Sequence, residues 1–207
     1  MKKEYLPVIL FFGALWGILE ATLGYVLQFL PPLVSGSVMF PIGATLMIIA
    51  FRTTKSQSTI FWVAAIAALI KSVNFLLPGL PPIKTYNPMI AIMLQSLVVF
   101  AVSPMIEPKR VPLTLAGLTL ASLGWRTLFI LNVTINNALT GFPFTMIATP
   151  AATFAFIVHL GLMGALFLML LYYGVQLVLM KTDLRWKPNL VTALPLLVLA
   201  VVLTLFL

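Results

Sequence analysis

Cysteine is absent from the 207-residue chain, and acidic residues number only four. Without cysteine there is no disulfide framework, no thiolate metal site and no Cys nucleophile. One histidine and four acids are thin material for a metal site, and no cofactor is expected. Paired-carboxylate catalysis needs two acids at one place. Glu4, Glu107 and Asp183 fall outside the apolar runs, which leaves Glu20 alone at membrane depth. HExxH, GxSxG, a P-loop and an aspartate-rich diphosphate motif are all missing. The chain therefore reads as no enzyme and has no ATP-hydrolysing motif of its own. Charge of either sign is scarce too: Asp, Glu, Lys and Arg make up 8% of the residues, against about 25% in a soluble domain.

What is present is apolar, 62% of the chain. Crossing a bilayer takes about 20 helical residues, and the chain holds several runs of that order. They predict an all-α, polytopic integral membrane bundle, a single transmembrane domain over 1–207. The expected spans are 6–30, ending at Pro31-Pro32; 35–51; 59–77; 88–105; 112–135; 151–180; and 189–207. The uncharged stretch 136–150 reads as a loop or a partly re-entrant segment. The start, MKKEYLPVILFFGALW, imitates a signal peptide. Its apolar region is too long and lacks a cleavage site, so it reads as a retained first helix.

The net charge of +8 does not point to nucleic acid here, because the basic residues lie between spans. With the N-terminus in the cytoplasm, the inner side receives Lys2, Lys3, Arg52, Lys55, Lys109, Arg110, Lys181, Arg185 and Lys187. The outer loops receive only Lys84. This asymmetry predicts a cytoplasmic N-terminus, seven spans and a multi-pass location in a bacterial-type cell membrane.

Four ionisable side chains fall within spans: Glu20, Lys71, Arg126 and His159. At 1.5 Å per residue, the first three lie about 18–20 Å from the inner ends of their helices, and His159 about 13 Å below the outer start of its own. Asn74 and Gln95 belong to the same layer. Ions are costly in hydrocarbon and are expected to face the bundle interior. Helical spacing agrees: Gly13, Gly17, Glu20 and Gly24 share one stripe, and Lys71 shares its side with Ala64, Ala67, Ala68 and Asn74. The layer carries one negative and two positive groups, a surplus that a bound anion would neutralise. The expected site is thus Glu20, Lys71, Asn74, Gln95, Arg126 and His159, with Lys71 and Arg126 holding the negative group of a small anionic or zwitterionic metabolite. Two other readings stay open: a small intramembrane enzyme acting on a lipid or prenyl substrate, with Glu20 and His159 as acid and base, and a structural or assembly subunit whose charges only fasten helices.

Three stretches, GALWGILEATLG at 13–24, FPIGATLMIIAFR at 40–52 and NPMIAIMLQSLVVF at 87–100, give the chain over about 5–187 a resemblance to a known family. Together with its length and threading, it resembles the substrate-binding S components of energy-coupling factor transporters. The resemblance implies a six-helix core, capture of a vitamin or precursor from outside, and a membrane coupling subunit with ATPase subunits as partners. It also implies that the small residues Gly13, Gly17 and Ala21 face that partner. This competes with the assignment of the same stripe to the cavity through Glu20. The seventh helix, 189–207, has no counterpart in the six-helix core.

Overall fold

The computed structural model describes residues 3–29, 34–182 and 188–206. The proline stop at 31–32 and the basic residues 185 and 187 lie outside the described residues. Six helices are long and apolar enough to cross a membrane: α1 (Lys3–Val26), α2 (Ser35–Thr54), α3 (Ser58–Leu76), α4 (Ile83–Met105), α5 (Val111–Thr140) and α6 (Pro150–Leu179). A seventh, α7 (Leu190–Phe206), is apolar but has 17 residues, short of the roughly 20 that a bilayer takes. No strand occurs among the described residues. The chain is a multi-pass helical membrane protein by the length and composition of its helices.

The elements follow local chemistry at their ends. α2 runs three residues past the expected stop, until Lys55 takes a left-handed conformation (φ 58°) and returns its N–H to the Phe51 carbonyl at 2.7 Å. α4 begins five residues before the expected 88. Pro82 starts it, its carbonyl accepting from the N–H groups of Thr85 (3.0 Å) and Tyr86 (2.9 Å), and Pro88 is absorbed inside the helix. The connection expected between the spans ending at 77 and starting at 88 is therefore helical from Ile83 onward. α5 runs to Thr140 and stops at Gly141, whose φ of 69° suits a residue without Cβ. Asn136 and Asn137, expected in a loop, belong to that helix. Within α6, residues Ala155–His159 form a π-turn, which widens the helix by one residue and rotates the turns beyond it.

α2 is the most enclosed span. It packs on α6, α3, α1 and α4, while α1–α3, α3–α4, α4–α5 and α5–α6 contacts form an arc around it. α7 lies outside this arc, chiefly against α1 and less against α3. Arg52 donates to the Ile106 carbonyl at 3.4 Å and Gln57 to Ser103 Oγ at 2.9 Å. These bonds tie the α2–α3 and α4–α5 connections together at one end. Arg52 also donates to the Tyr172 hydroxyl of α6 and lies 5.0 Å from its ring. At the other end the Asn136 amide donates to the Tyr86 hydroxyl, joining α5 to α4.

The α1–α3 seam explains the small-residue stripe. A Cβ at Gly13 would sit 2.6 Å from Ile66, and one at Gly17 would sit 2.6 Å from Ile70. The glycines let α3 approach α1 until the isoleucines touch its backbone. This face is filled within the chain, so the expectation that Gly13 and Gly17 meet a separate subunit does not hold. Ala21, one turn on, is buried and borders a small cavity beside α7. The neighbouring face of α1 is covered as well: Ala14 packs with Ile70 of α3 and Ala200 of α7.

Candidate functional site

A cavity of about 520 Å³ opens at the end of the bundle where α1, α3 and α5 finish and α2, α4 and α6 begin. Its walls differ in chemistry. Glu20 from α1, Lys71 from α3, and Lys84, Asn87 and Gln95 from α4 form one side. Trp125 and Phe129 of α5, Phe156 of α6, and Phe142 and Phe144 of the α5–α6 connection form the other.

Glu20 and Lys71 are each held by a hydrogen bond of their own. Trp16 is fully buried and donates from Nε1 to Glu20 Oε1 at 3.2 Å, one helical turn away. The Trp16 ring can sit there because α2 presents Gly43, where an added Cβ would fall 2.4 Å from the ring. Lys71 is 8% exposed. Its ammonium donates to the side-chain oxygen of Asn74 at 3.2 Å, and the Asn74 amide nitrogen donates to the Thr204 carbonyl of α7 at 3.2 Å. The ammonium on one side and the carbonyl on the other fix that orientation of the amide. Glu20 and Lys71 attract each other electrostatically, yet each carries a separate partner that keeps it in place. Lys71 and Lys84 also border a second cavity of about 90 Å³, lined by Ala21, Tyr25, Asn74 and Thr204. The Lys71 ammonium thus stands between the two spaces.

α4 supplies a polar stripe at helical spacing. Asn87 and Gln95 are eight residues apart, about 12 Å along the axis, with Ala91 between them on the cavity side. Asn87 Oδ1 and Gln95 Oε1 are buried without a hydrogen-bond partner, as is Trp125 Nε1 across the cavity. Buried polar atoms in folded proteins are nearly always satisfied. Three unsatisfied atoms belong to residues that line this one cavity.

Arg126 is elsewhere. It is fully buried and is not part of the cavity lining. Its guanidinium lies against the rings of both Trp125 and Phe156, 4.7 Å from each centroid. Nη2 donates to Ser37 Oγ at 2.6 Å and Nη1 to the Phe156 carbonyl at 3.3 Å, while Nε has no partner. The Phe156 carbonyl that Arg126 takes belongs to the π-turn, where helical hydrogen bonding is altered. Just beyond that turn, Ser37 Oγ donates to the Leu160 carbonyl at 3.2 Å and Ser122 Oγ to that of Gly161 at 2.7 Å. Arg126 braces the aromatic wall from behind, so the expectation that it touches a ligand in the cavity is corrected.

His159 is exposed and packs edge-on against Phe154, ring centroids 5.3 Å apart. It closes the π-turn, and the extra residue there carries it off the face that regular helical spacing predicts. The acid–base couple of Glu20 and His159 is therefore not assembled. Of the six residues expected to converge, Glu20, Lys71 and Gln95 line the cavity, Asn74 supports Lys71 from behind, and Arg126 and His159 lie outside it. The aromatic wall was missed. Trp125 and Phe129 share a face at four-residue spacing, a signal present in the sequence, but Phe142, Phe144 and Phe156 come from a connection and a π-turn that periodicity does not register. Comparison with protein-family models, curated proteins and solved structures finds no match for this chain.

Proposed function

We propose that this protein is a ligand-capturing membrane subunit of a transporter, of the substrate-binding kind that the S components of energy-coupling factor transporters represent. One observation carries the reading: a cavity within the bundle holds a carboxylate and an ammonium, each with its own hydrogen-bond partner, and is also lined by Gln95 and Asn87, whose side-chain oxygens are unpartnered. Arg52 in the last turn of α2, and Lys55, Lys109 and Arg110 in connections, lie at the opposite end of the bundle. With that end in the cytoplasm, the cavity opens outward. No family match supports the transporter assignment, which rests on the resemblance together with this cavity.

The chain contributes capture and orientation. Energy for release would come from a coupling subunit with ATPase partners, docking on a face other than the filled Gly13–Gly17 seam. α7 would cross the membrane, or most of it, beside α1. Capture is favoured over turnover because Glu20 faces no histidine and no second carboxylate in the cavity.

The test is native mass spectrometry of the full chain purified in mild detergent, followed by identification of any small molecule released. A bound organic molecule is expected from the wild type. Retention should drop at least tenfold in Lys71→Ala, since a charge-assisted hydrogen bond is worth about 1.5–3 kcal/mol. Uptake in vesicles should then require an ATPase module. Chemical turnover by the chain alone would replace the proposal with an enzyme reading. Absence of any bound molecule, with equal destabilisation on removing any one charge, would replace it with a structural one.

A further inference from the structure

The division of the cavity into two walls says what kind of molecule fits it. Glu20 and Lys71 carry opposite charges but are separately anchored, by Trp16 and by Asn74. A simple anion drawn to Lys71 would meet the Glu20 carboxylate as well. A simple cation drawn to Glu20 would meet Lys71, and then Lys84 at the rim. A molecule carrying both charges satisfies the two anchored ions together, because each of its ends finds an opposite partner in a low-dielectric setting where mismatch is costly.

Across from these ions, Trp125, Phe129 and Phe156 form one cluster of mutually packed rings. Trp125 and Phe156 meet edge to face at 6.2 Å, and Phe129 lies 6.1 Å from Trp125 and 6.2 Å from Phe156. The guanidinium of Arg126 lies against Trp125 and Phe156 and fixes those rings from behind. A rigid aromatic surface of this kind is complementary to a flat ring in stacked or edge-on contact. The unpartnered Gln95 and Asn87 oxygens call for hydrogen-bond donors on the same molecule, and Trp125 Nε1 calls for an acceptor.

We infer that the cavity takes a small aromatic zwitterion, its cationic group at Glu20, its anionic group at Lys71 and its ring against Trp125, Phe129 and Phe156. The inference rests on the reading of this cavity as a ligand site and narrows its occupant to one chemical class. Gln95 and Asn87 accept from the N–H groups of the ring or the ammonium. The π-turn and Arg126 set the position of the stacking wall and make no contact with the ligand.

The experiment uses three probes that share an indole and differ in charge: L-tryptophan, tryptamine and indole-3-propionate. Binding to the purified full chain is measured by equilibrium dialysis. L-tryptophan is expected to bind at least tenfold more tightly than either singly charged probe. Glu20→Gln should remove its advantage over indole-3-propionate, and Lys71→Gln its advantage over tryptamine. The melting temperature of each variant identifies any that has simply failed to fold, and Gln95→Ala, which keeps both ions, should weaken all three probes alike. Equal binding of the three probes, or binding of a singly charged probe alone, overturns the ligand class while leaving the cavity a binding site. So does an aliphatic or singly charged molecule released in native mass spectrometry. Failure of every probe, with no molecule released, overturns the binding site itself.

Discussion

Replacing Arg126 with alanine is expected to damage the fold and, where the protein still folds, to leave the charged wall of the cavity intact. The magnitude comes from what the guanidinium touches. Two hydrogen bonds from a charged donor contribute about 1.5–3 kcal/mol each, and two desolvated cation–π contacts about 2 kcal/mol each. These sum to roughly 7–10 kcal/mol. Burying the ion without a carboxylate costs several kcal/mol, taken as about 5. The net loss on Arg126→Ala is then about 2–5 kcal/mol. Unfolding in mixed detergent micelles, followed by tryptophan fluorescence, measures it. Ser37→Ala should cost less, because it removes one of the two hydrogen bonds. The double variant should fall short of the sum of the two, since the pair shares one interaction. Arg126→Lys should restore only part of the loss, because an ammonium lacks the planar fork that contacts both rings while reaching two acceptors. Unchanged unfolding of Arg126→Ala, with ligand retention abolished, would refute this reasoning and return Arg126 to the binding site.

Two further changes test how the charged pair is held. Gly43→Ala puts a methyl group 2.4 Å from the Trp16 ring, so the ring and the carboxylate it holds must shift. A stability loss of about 1–3 kcal/mol is expected by thermal melting, with ligand retention falling alongside. Asn74→Leu removes the acceptor of Lys71 and the link to Thr204 of α7. Ligand retention should fall several-fold, and Asn74→Asp should restore more of it than Asn74→Ala. Equal effects of all three substitutions at position 74 would make Asn74 a packing residue.

The membrane helices were legible because their signal is local. Apolar runs of the required length stand out against the polar RTTKSQS and EPKR connections, and the structure places helices at all seven expected positions. Boundaries shifted where a terminus depended on backbone chemistry. Pro82 nucleates α4 and Pro88 is tolerated inside it, although the NP dipeptide reads as a start. The bundle-facing side of Lys71 was also legible, since its alanine-rich flank points inward. For Arg126 and His159 the sequence supplied depth without direction. A fully buried arginine can face a cavity or a neighbouring backbone, and Ser37, 89 positions away, decides which.

By itself, the sequence determined a helical bundle for a membrane, the absence of thiol chemistry, and the depth of its few ions. Those arise from composition and from the fixed rise of an α-helix. Only the tertiary structure decided which ions share a cavity. A π-turn in α6 left His159 outward and offered its Phe156 carbonyl to Arg126, while Ser37 and Ser122 bind the Leu160 and Gly161 carbonyls just beyond it, and the guanidinium sits behind the aromatic wall. It likewise assigned the glycine stripe to an internal seam, because the isoleucines that fill it lie on a different helix more than fifty residues along the chain.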